Sequence, residues 1–414
     1  MQDWTHLQDI EGTLSDHLAH RLVAIAVSGS IACVEIHRVA RTLVRHGAKV
    51  QFFLTRAATE LVSPTALTWC TGREPITSLT GRCEHLEFFG ERGCADLLLL
   101  APATANTVAK VAMGLDDNVV TTCVTTALGT GIPVLCAPGM HEPMMKNPAV
   151  RANFQRLRDF GVEVLESRLS EGKQKMMDSK EIAARVLRRL GPGDLNGKKV
   201  LITGGPTREF LDPARCITNP SSGLTACLLA EEAYRRGGEV TLVYGPGKFE
   251  PAPWIRVERV VSCAEMSRAV EALCRELCPD FCVATAAVSD FRPLSFEPQK
   301  RPTSEGGFAL QLEPTPKVLS LLRSGAPGAT VVAFKAGSCD RDEELLELMN
   351  PYLDSARADL VVGNSVTQPG MGFDSLSNRY LVARKDQPLV RLGPALKSEL
   401  AAPLWDEILS FKTY

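Results

Sequence analysis

Short apolar runs alternate with longer amphipathic segments along the whole chain. The runs of the first half are rich in leucine and β-branched residues, and the segments between them are long enough for helices. This alternation is typical of a parallel sheet with helices on both faces. The predicted strands of this half are Leu22 to Val27, Val50 to Thr55, Asp96 to Ala101, Pro133 to Ala137 and Val162 to Leu165.

One amphipathic segment follows the first predicted strand. Its apolar residues recur at steps of three and four, which predicts a single helix over 31–46 with one buried face. They are Ile31, Val34, Ile36, Val39, Leu43 and Val44. Gly47 follows as the expected C-terminal cap.

A second series of strands follows a break rich in glycine and proline. Residues 191–197 read GPGDLNG, a segment poor in side chains that could pack, and we expect a flexible linker there. The strands predicted after it are Val200 to Thr203, Val240 to Val243, Asp280 to Thr285, Val331 to Phe334, Leu360 to Gly363 and Tyr380 to Ala383. The sequence therefore predicts an α/β protein with two doubly wound, mostly parallel Rossmann-like domains. They span 21–190 and 198–414, and 1–20 form an N-terminal extension.

Charge and composition exclude several classes of protein. The 46 Lys and Arg residues balance 48 Asp and Glu residues, and both signs are mixed along the chain. This argues against a nucleic-acid or membrane surface, and no apolar run approaches the ~18 residues of a membrane span. The polar, acidic start of the chain does not resemble a secretory signal, so we expect a cytoplasmic protein with its thirteen cysteines reduced.

Small hydroxylated residues follow three strands of the first half. They are Ser28, Gly29 and Ser30 after the first strand, Thr55 at the end of the second, and Ala103, Thr104 and Asn106 after the third. Ligands of an open parallel sheet bind beyond the carboxyl ends of its strands. Each residue alone would be a helix cap, but together they favour an anion site. The pattern is neither G-x-G-x-x-G nor a P-loop, and a single phosphate on a flat cofactor fits it better.

Two histidines lie in predicted loops of the first half. All seven histidines precede residue 142, and of these His85 and His141 lie between elements of the predicted sheet. Histidine exchanges protons near neutral pH, although a loop histidine is more often solvated than catalytic. The residues alone leave both interpretations open.

Eight motifs give the chain a specific resemblance. The first half resembles the flavin-dependent cysteine decarboxylases. The whole chain, over roughly residues 21 to 412, resembles the bifunctional phosphopantothenoylcysteine decarboxylases and phosphopantothenate–cysteine ligases of coenzyme A biosynthesis, in particular their archaeal branch. The motifs are SGSIA at 28–32, EHLE at 84–87, APATAN at 101–106, PGMHEPM at 138–144, GGPTRE at 204–209, ITNPSSG at 217–223, AAVSDFRP at 286–293 and NSV at 364–366.

For the first half the resemblance implies a flavodoxin-like decarboxylase domain that binds FMN. The phosphate would lie near Ser28, Gly29, Ser30 and Thr55, and the rest of the flavin near Ala103, Thr104 and Asn106. His85 matches the essential histidine of the family, which would transfer the proton in the decarboxylation. His141 would recognise the substrate carboxylate. Bacterial members protonate the product from a flap cysteine, which the stretch 168–176 lacks, so the donor stays open between Lys173, Lys175 and water.

For the second half the resemblance implies the ligase. Such enzymes activate the carboxylate of 4′-phosphopantothenate with a nucleoside triphosphate and Mg²⁺, and the cysteine amine then attacks the acyl-nucleotide. Asn219 matches the asparagine that acts on this intermediate. The nucleotide contacts would be Gly205, Ala284, Thr285, Ala286, Asp290, Lys300, Phe334 and Lys335. The choice between CTP and ATP stays open, since the stretch 340–349 lacks the lysines of bacterial relatives. The metal ligands are open as well.

Three functions are compatible with these features. The first is the bifunctional enzyme, acting on small-molecule substrates. The second is an active ligase with a flavin-binding first domain that does not decarboxylate, and the third is a regulatory flavoprotein without turnover. The resemblance further implies a homo-oligomer, with which a dodecamer is compatible.

Overall fold

The chain folds into two compact units, Met1–Gly191 and Pro192–Tyr414. The computed structural model describes residues 4–166, 176–300, 306–339, 341–355, 357–368 and 370–410, and the backbone of 169–170 and 173–174. The division falls inside the segment 191–197, where the sequence predicts a linker.

The first unit contains a parallel sheet with the strand order β2-β1-β3-β4-β5. This is the flavodoxin-like order, in which the chain reverses direction across the sheet between β1 and β3. All five predicted strands are confirmed. The strands are β1 (Leu22–Val27), β2 (Lys49–Leu54), β3 (Leu97–Ala103), β4 (Val134–Pro138) and β5 (Glu163–Val164), and a separate hairpin consists of β6 (Leu169–Ser170) and β7 (Lys173–Gln174).

Helices cover both faces of this sheet. They are α1 (Thr5–Gln8), α2 (Ile36–Arg45), α3 (Arg56–Thr59), α4 (Pro64–Thr71), α5 (Glu84–Phe89), α6 (Ala105–Met113), α7 (Val119–Thr130), α8 (Glu142–Lys146), α9 (Pro148–Asp159) and α10 (Ser179–Arg189). Val23 and Ile25 of β1 pack with α2 and α10, whereas Ala24 and Ala26 pack with α5, α6, α7 and α9. Because both faces are buried, the strand is apolar at every position.

The single helix predicted over 31–46 is wrong in its first turn. Residues Ile31–Glu35 form a 3₁₀ helix, and only Ile36–Arg45 are α-helical. A 3₁₀ helix has three residues per turn, so Ile31 and Val34 lie one above the other on one face. That face points to solvent, where Ile31 is 71% exposed and Val34 is 42% exposed.

The second unit contains an eight-stranded sheet with the order β12-β11-β8-β13-β16-β17-β18-β19. Its first six strands in this order are parallel, and β18 and β19 are antiparallel. The main strands are β8 (Lys199–Gly204), β11 (Glu239–Tyr244), β12 (Arg256–Arg259), β13 (Phe281–Ala284), β16 (Thr330–Gly337), β17 (Leu360–Ser365), β18 (Ser377–Arg384) and β19 (Val390–Leu396). The six predicted strands are confirmed. The two sheets together confirm the predicted fold class.

Two short hairpins project from this unit. One pairs β9 (Arg208–Phe210) with β10 (Cys216–Thr218), and the other pairs β14 (Phe291–Pro293) with β15 (Leu312–Pro314). Their three-residue strands are too short to give an alternating pattern in the sequence. The helices are α11 (Leu224–Arg235), α12 (Cys263–Leu277), α13 (Val318–Gly325), α14 (Asp342–Asp354) and α15 (Lys397–Ser410).

The segment predicted to be a flexible linker packs in part on the second unit. Leu195 is fully buried, and its N–H donates to the carbonyl of Arg236 at 3.0 Å. The Arg236 guanidinium also pairs with Asp194 at 2.8 Å. The segment predicted to be flexible and poor in packing residues thus includes one buried residue, Leu195, which the sequence does not reveal because a single leucine among glycines gives no periodic signal.

The predicted N-terminal extension lies against the end of α2. The N–H groups of Leu14 and Leu18 donate to the carbonyls of Arg45 and His46, each at 2.8 Å, and Leu18 is fully buried. All thirteen cysteines are free thiols. Across the described residues, the helices are all too short or too polar to cross a bilayer.

Candidate functional site

Ser28 joins the carboxyl ends of β1 and β3 in the first unit. Its hydroxyl donates to the Pro102 carbonyl at 2.7 Å and accepts from the N–H of Thr104 at 2.9 Å. Ser28 is only 1% exposed. The hydroxyl is therefore satisfied inside the protein, and its role is to hold the turn that follows β1. A direct phosphate contact of this hydroxyl stays a prediction.

Ser30 extends the same network to β4. Its hydroxyl donates to the Gly139 carbonyl at 2.9 Å, and the Gly139 N–H donates to the Ala103 carbonyl at 2.9 Å. Ser28, Ser30 and Ala103 thus meet at the carboxyl edge of the sheet, as the sequence predicts. His141 follows this junction by two residues.

Thr55 and Thr104 both cap helices that begin at this edge. The Thr55 hydroxyl accepts from the Ala58 N–H and the Thr104 hydroxyl accepts from the Thr107 N–H, each at 3.3 Å. Both threonines are partly exposed, so the hydroxyls remain within reach of a ligand. Asn106 is exposed in the first turn of α6.

The two glycines of this edge leave no room for side chains. An ideal Cβ on Gly29 would lie 2.5 Å from the Cβ of Ala57, and one on Gly139 would lie 2.6 Å from the Cβ of Pro102. Because real Cβ atoms do not approach so closely, both positions require glycine. The turn after β1, which carries Ser28 and Ser30, is therefore held against α3.

Replacing Gly29 with alanine should destabilise the first unit and lower its flavin content. The added methyl group must displace Ala57 at about 1–3 kcal/mol, which is typical of overpacking. The matched control is Gly129→Ala in α7, where a Cβ meets no atom within 4 Å. That control should gain roughly 0.5–1 kcal/mol from helix propensity. Urea unfolding of both variants measures the difference, and equal stability of Gly29→Ala and wild type would contradict the packing.

His85 lies on α5, which is anchored by aromatic packing. The ring centroid of Phe53 in β2 lies 5.2 Å from that of Phe88 and 5.4 Å from that of Phe89. The His85 Nδ1 atom is buried and has no hydrogen-bond partner among the described residues. An unsatisfied buried nitrogen is costly, which makes His85 a candidate for contact with a bound group.

Glu84 fixes the start of the same helix. Its carboxylate accepts from the Thr80 hydroxyl and from the Thr80 N–H, the latter at 2.8 Å. These hydrogen bonds, the side-chain bond first, lower the pKa of the Glu84 carboxyl. The side chain next to His85 is thereby held ionised and in one orientation.

His141 caps α8 and is exposed. Its carbonyl accepts from the Met144 N–H at 3.0 Å, while its ring makes no capping bond. In the described part of the chain, no hydrogen bond joins His85 or His141 to Ser28 and Ser30. The stretch 168–176, with Lys173 and Lys175, lies outside the described side chains except for Met176.

The second unit contains a cavity of about 480 Å³ at the carboxyl ends of its parallel strands. Its volume lies within the range of ordinary small-molecule sites. Seven of the residues predicted for the ligase line it: Gly205, Asn219, Ala284, Thr285, Ala286, Asp290 and Phe334. Among the described residues, Lys300 and Lys335 are not part of the lining, and Lys300 is exposed.

Asn219 holds two walls of this cavity together. Its amide nitrogen donates to the carbonyl of Ala287 at 3.0 Å and to that of Val288 at 3.2 Å. The residue thereby fixes the segment after β13 against the segment after β10. Its amide oxygen accepts no hydrogen bond from the described residues.

Aromatic rings form another wall. Phe334 and Tyr380 meet edge to face with centroids 5.9 Å apart, and both line the cavity. Lys335 contacts a further lining residue, Tyr352, with its ammonium 5.5 Å from the Tyr352 ring centroid and 3.4 Å from the Tyr352 hydroxyl. Such faces can hold a nucleotide base by stacking.

Two lysines of the cavity have no sequence motif to reveal them. Lys317 is exposed and pairs with Asp290 at 2.5 Å. Lys397, the first residue of α15, is 4% exposed, and its ammonium donates to the Gly372 carbonyl at 2.8 Å. Burial lowers the pKa of Lys397 to about 8. A lysine at the start of an amphipathic helix is ordinarily solvated, so the sequence gives no sign of its burial.

Comparisons with known proteins agree with this division. Residues 11–191 match the family described as Flavoprotein, and residues 195–411 match the family described as DNA/pantothenate metabolism flavoprotein C-terminal domain. The coenzyme A biosynthesis bifunctional protein CoaBC of Thermococcus kodakarensis is 40% identical over 404 residues, covering 97% of this chain and 98% of that protein.

A cysteine/cysteine sulfinic acid decarboxylase of an unknown prokaryotic organism is 34% identical, covering 76% of this chain and 89% of its own. A crystal structure of the C-terminal domain of a CoaBC protein aligns with a TM-score of 0.44 and 29% identity, covering 53% of this chain and 97% of that chain. Because one family matches each unit and a CoaBC relative aligns along 97% of the residues, the chain belongs to the family of bifunctional coenzyme A biosynthesis proteins.

Proposed function

We propose that the chain makes 4′-phosphopantetheine in two steps. The second unit ligates cysteine to 4′-phosphopantothenate, and the first unit decarboxylates the product with FMN. The observation that carries the proposal is the family match over both units, since a CoaBC relative aligns along 97% of the chain.

The carboxyl edge of the first sheet fits FMN. Ser30, Thr55 and Thr104 offer hydroxyls there, Gly29 excludes a side chain, and the Nδ1 atom of His85 lacks a partner. We expect Ser30, Thr55, Thr104 and Gly29 to hold the cofactor. Ala103, Asn106 and the turn fixed by Ser28 would complete its site. When bound, FMN would supply the two-electron redox chemistry that decarboxylation of a cysteinyl carboxylate needs.

The two histidines would act on the substrate. We expect His85 to hold and transfer a proton at its ring, because its buried Nδ1 atom is free to accept or donate. The exposed ring of His141 would bind the substrate carboxylate, by a charge-assisted hydrogen bond when it is protonated. The donor for the last protonation stays open between Lys173, Lys175 and water.

In the ligase step, the carboxylate of 4′-phosphopantothenate attacks the α-phosphorus of the nucleotide. Pyrophosphate leaves, and an acyl-nucleotide forms. The cysteine amine then attacks the acyl carbon, the nucleoside monophosphate leaves, and the amine loses its proton. We expect Asn219 to contact the acyl-nucleotide while its amide nitrogen holds Ala287 and Val288. Phe334 and Asp290 would contact the nucleotide, with Lys300 and Lys335 as further expected contacts.

Mg²⁺ would accompany the nucleotide. The described residues hold no cluster of three or more His, Cys, Asp or Glu side chains that could enclose a metal. Mg²⁺ usually keeps several waters and binds through substrate phosphates, so this fits an ion delivered with the triphosphate. CTP and ATP are the two candidate nucleotides, and competition between them in one assay decides.

The direct test supplies the purified protein with 4′-phosphopantothenate, cysteine, a nucleoside triphosphate and Mg²⁺. We expect 4′-phosphopantetheine, carbon dioxide and a yellow protein that contains FMN. Absence of the product and of bound flavin would reject the proposal. The absence of a cysteine from 168–176 favours, as second candidate, a ligase whose first unit does not decarboxylate. Synthetic phosphopantothenoylcysteine separates the two, because only the bifunctional enzyme releases carbon dioxide from it.

We further propose a cytoplasmic homo-oligomer. The thirteen free cysteines suit a reducing compartment. Large apolar side chains are exposed on the hairpin strands of the second unit and on the described parts of the connection between β14 and β15, and we call them the hairpin platform. They are Phe210, Phe291, Leu294, Phe296, Phe308, Leu310 and Leu312. We expect a second copy of the chain to cover these exposed apolar side chains.

Adding charge to the hairpin platform should dissociate this assembly. We expect the double variant Phe296→Asp, Leu312→Asp to run as a smaller species than wild type, because buried unpaired carboxylates oppose association. Phe160→Asp, an exposed position of the first unit, serves as control. Light scattering after gel filtration measures the masses. An unchanged mass of the double variant would show that the platform is not an interface.

A further inference from the structure

Lys397 places a buried positive charge in the wall of the ligase cavity. The residue is 4% exposed, and it lines the cavity together with Gly372 and Tyr380. A lysine ammonium has three donors, and only one is used here, by the Gly372 carbonyl at 2.8 Å. Among the described residues, its ammonium forms no ion pair, and the nearby Asp374, whose charge acts on it, pairs with Lys248.

A buried ammonium is destabilising where its desolvation outweighs the attraction of nearby negative charge, and here Asp374 offsets the desolvation only in part. Its desolvation is the main cause that lowers the pKa of Lys397 to about 8, so the residue is still mostly charged near neutral pH. The start of α15 adds to the positive potential, because the residue occupies the positive end of that helix dipole. An anion bound in the cavity would relieve both effects.

A second source of positive potential lies on the same cavity. Helix α11 begins at Leu224 and is preceded by Gly223, which has no side chain to cap it, and Leu224, Thr225 and Ala226 of its first turn line the cavity. The first amides of a helix have no acceptor within the helix. None of these three amides donates to another described residue.

Two contacts bring these features together. The Ser222 hydroxyl donates to the Phe373 carbonyl at 3.1 Å, next to the Gly372 that holds Lys397. The hydroxyls of Thr225 and Tyr380 lie 3.3 Å apart. The other described cations of the lining, Lys317 and Arg357, are both exposed.

We propose that Lys397 and the first turn of α11 bind a phosphate group of a ligase substrate. The inference rests on the proposed ligation and adds a binding residue to it. Phosphate chemistry has two sources in this reaction, the triphosphate of the nucleotide and the phosphate of 4′-phosphopantothenate. Lys397 would contact the anion with the donors that Gly372 leaves free, and the α11 amides would bind it from the other side.

The experiment measures binding rather than turnover, so that its result can be interpreted even if the protein does not catalyse the proposed ligation. Calorimetry on the full-length protein uses inorganic tripolyphosphate, a nonhydrolysable CTP or ATP analogue, 4′-phosphopantothenate and pantothenate. Lys397→Met should weaken the phosphate-bearing ligand of this site by about ten- to a hundredfold and leave pantothenate unchanged. Loss for tripolyphosphate and the analogue assigns the triphosphate, and loss for 4′-phosphopantothenate alone assigns the other source.

The pH dependence distinguishes binding from a structural role. Since the pKa of Lys397 is lowered to about 8, the affinity of wild type should fall from about pH 7 to about pH 9.5 as the ammonium loses its proton. Lys397→Arg should retain affinity at both pH values, because a guanidinium stays charged. Asp374, Lys248 and Tyr380 are the other ionisable groups near Lys397, and none of them is changed in this comparison.

Lys385→Met, at an exposed turn between β18 and β19, is the matched control and should bind as wild type does. Equal affinity of Lys397→Met and wild type near pH 7 would overturn the inference. Should Lys397→Met fail to fold, Lys397→Arg decides, because a pH profile identical to that of wild type would equally overturn it. Amide formation by wild type, measured in parallel, reports on the proposed ligation itself.

Discussion

Replacing His85 with asparagine should abolish release of carbon dioxide from synthetic phosphopantothenoylcysteine. We expect a loss of roughly 10²–10⁴-fold, the usual contribution of a positioned proton-transfer group. Asparagine keeps the polarity of the side chain but cannot exchange a proton near neutral pH. The buried Nδ1 atom of His85, which has no partner among the described residues, is the reason to expect a chemical and not a structural effect. Ligation should continue at the wild-type rate, because its site lies in the other unit.

Two further measurements separate proton transfer from damage to the fold. The absorption of bound flavin should be the same in His85→Asn and wild type. His20→Asn is the matched control, since His20 is exposed and has a positive φ of 66°, which asparagine also tolerates. Full decarboxylation by His85→Asn, with normal flavin content, would remove the histidine from the reaction.

The sequence predicts the sheet of the first unit well because each strand is buried on both faces. Every residue of β1 is apolar, so the strand is recognisable without knowledge of its neighbours. The residues at the strand ends could also be found, since a parallel sheet brings its carboxyl ends to one edge. The partners of each hydroxyl could not be predicted. Ser28 bonds to Pro102 and Thr104, more than 70 positions away, and only the folded chain shows that its hydroxyl is already used.

The segment between β1 and α2 is harder to predict. Ile31 and Val34 continue the apolar period of α2, yet they lie in a 3₁₀ turn and face solvent. The three- and four-residue period continues through both side chains although only its members in α2 are buried. An apolar pattern therefore predicts a helical face but does not show where the buried part of that face begins.

In the second unit, the motifs predict more of the cavity than the strand pattern does. Gly205 and Asn219 belong to motifs, Phe334 is implied by the family resemblance, and all three line the cavity. Lys397 belongs to no motif and is separated from Gly205 by most of the unit. Its burial results from the return of β18 and β19 along the sheet, and this antiparallel extension was predicted only in part.

Replacing Asn219 with aspartate should stop ligation and leave decarboxylation intact. The amide nitrogen donates to the carbonyls of Ala287 and Val288 at 3.0 and 3.2 Å. A carboxylate has no donor for these bonds and places negative charge against two carbonyl oxygens. We expect amide formation to fall about a hundredfold or more, as after loss of a positioned donor in an active site.

The variant also separates the two parts of the ligase reaction. Pyrophosphate release reports formation of the acyl-nucleotide, and mass spectrometry of phosphopantothenoylcysteine reports the attack by cysteine. If Asn219 acts on the acyl-nucleotide itself, the second rate should fall more than the first. Gln387→Glu adds the same charge at an exposed turn and should change neither rate. Carbon dioxide release from synthetic phosphopantothenoylcysteine should match wild type in both variants. Asn219→Asp would then lose only ligation, whereas His85→Asn would lose only decarboxylation. Ligation by Asn219→Asp at the wild-type rate would refute the role of this residue and with it the assignment of the cavity.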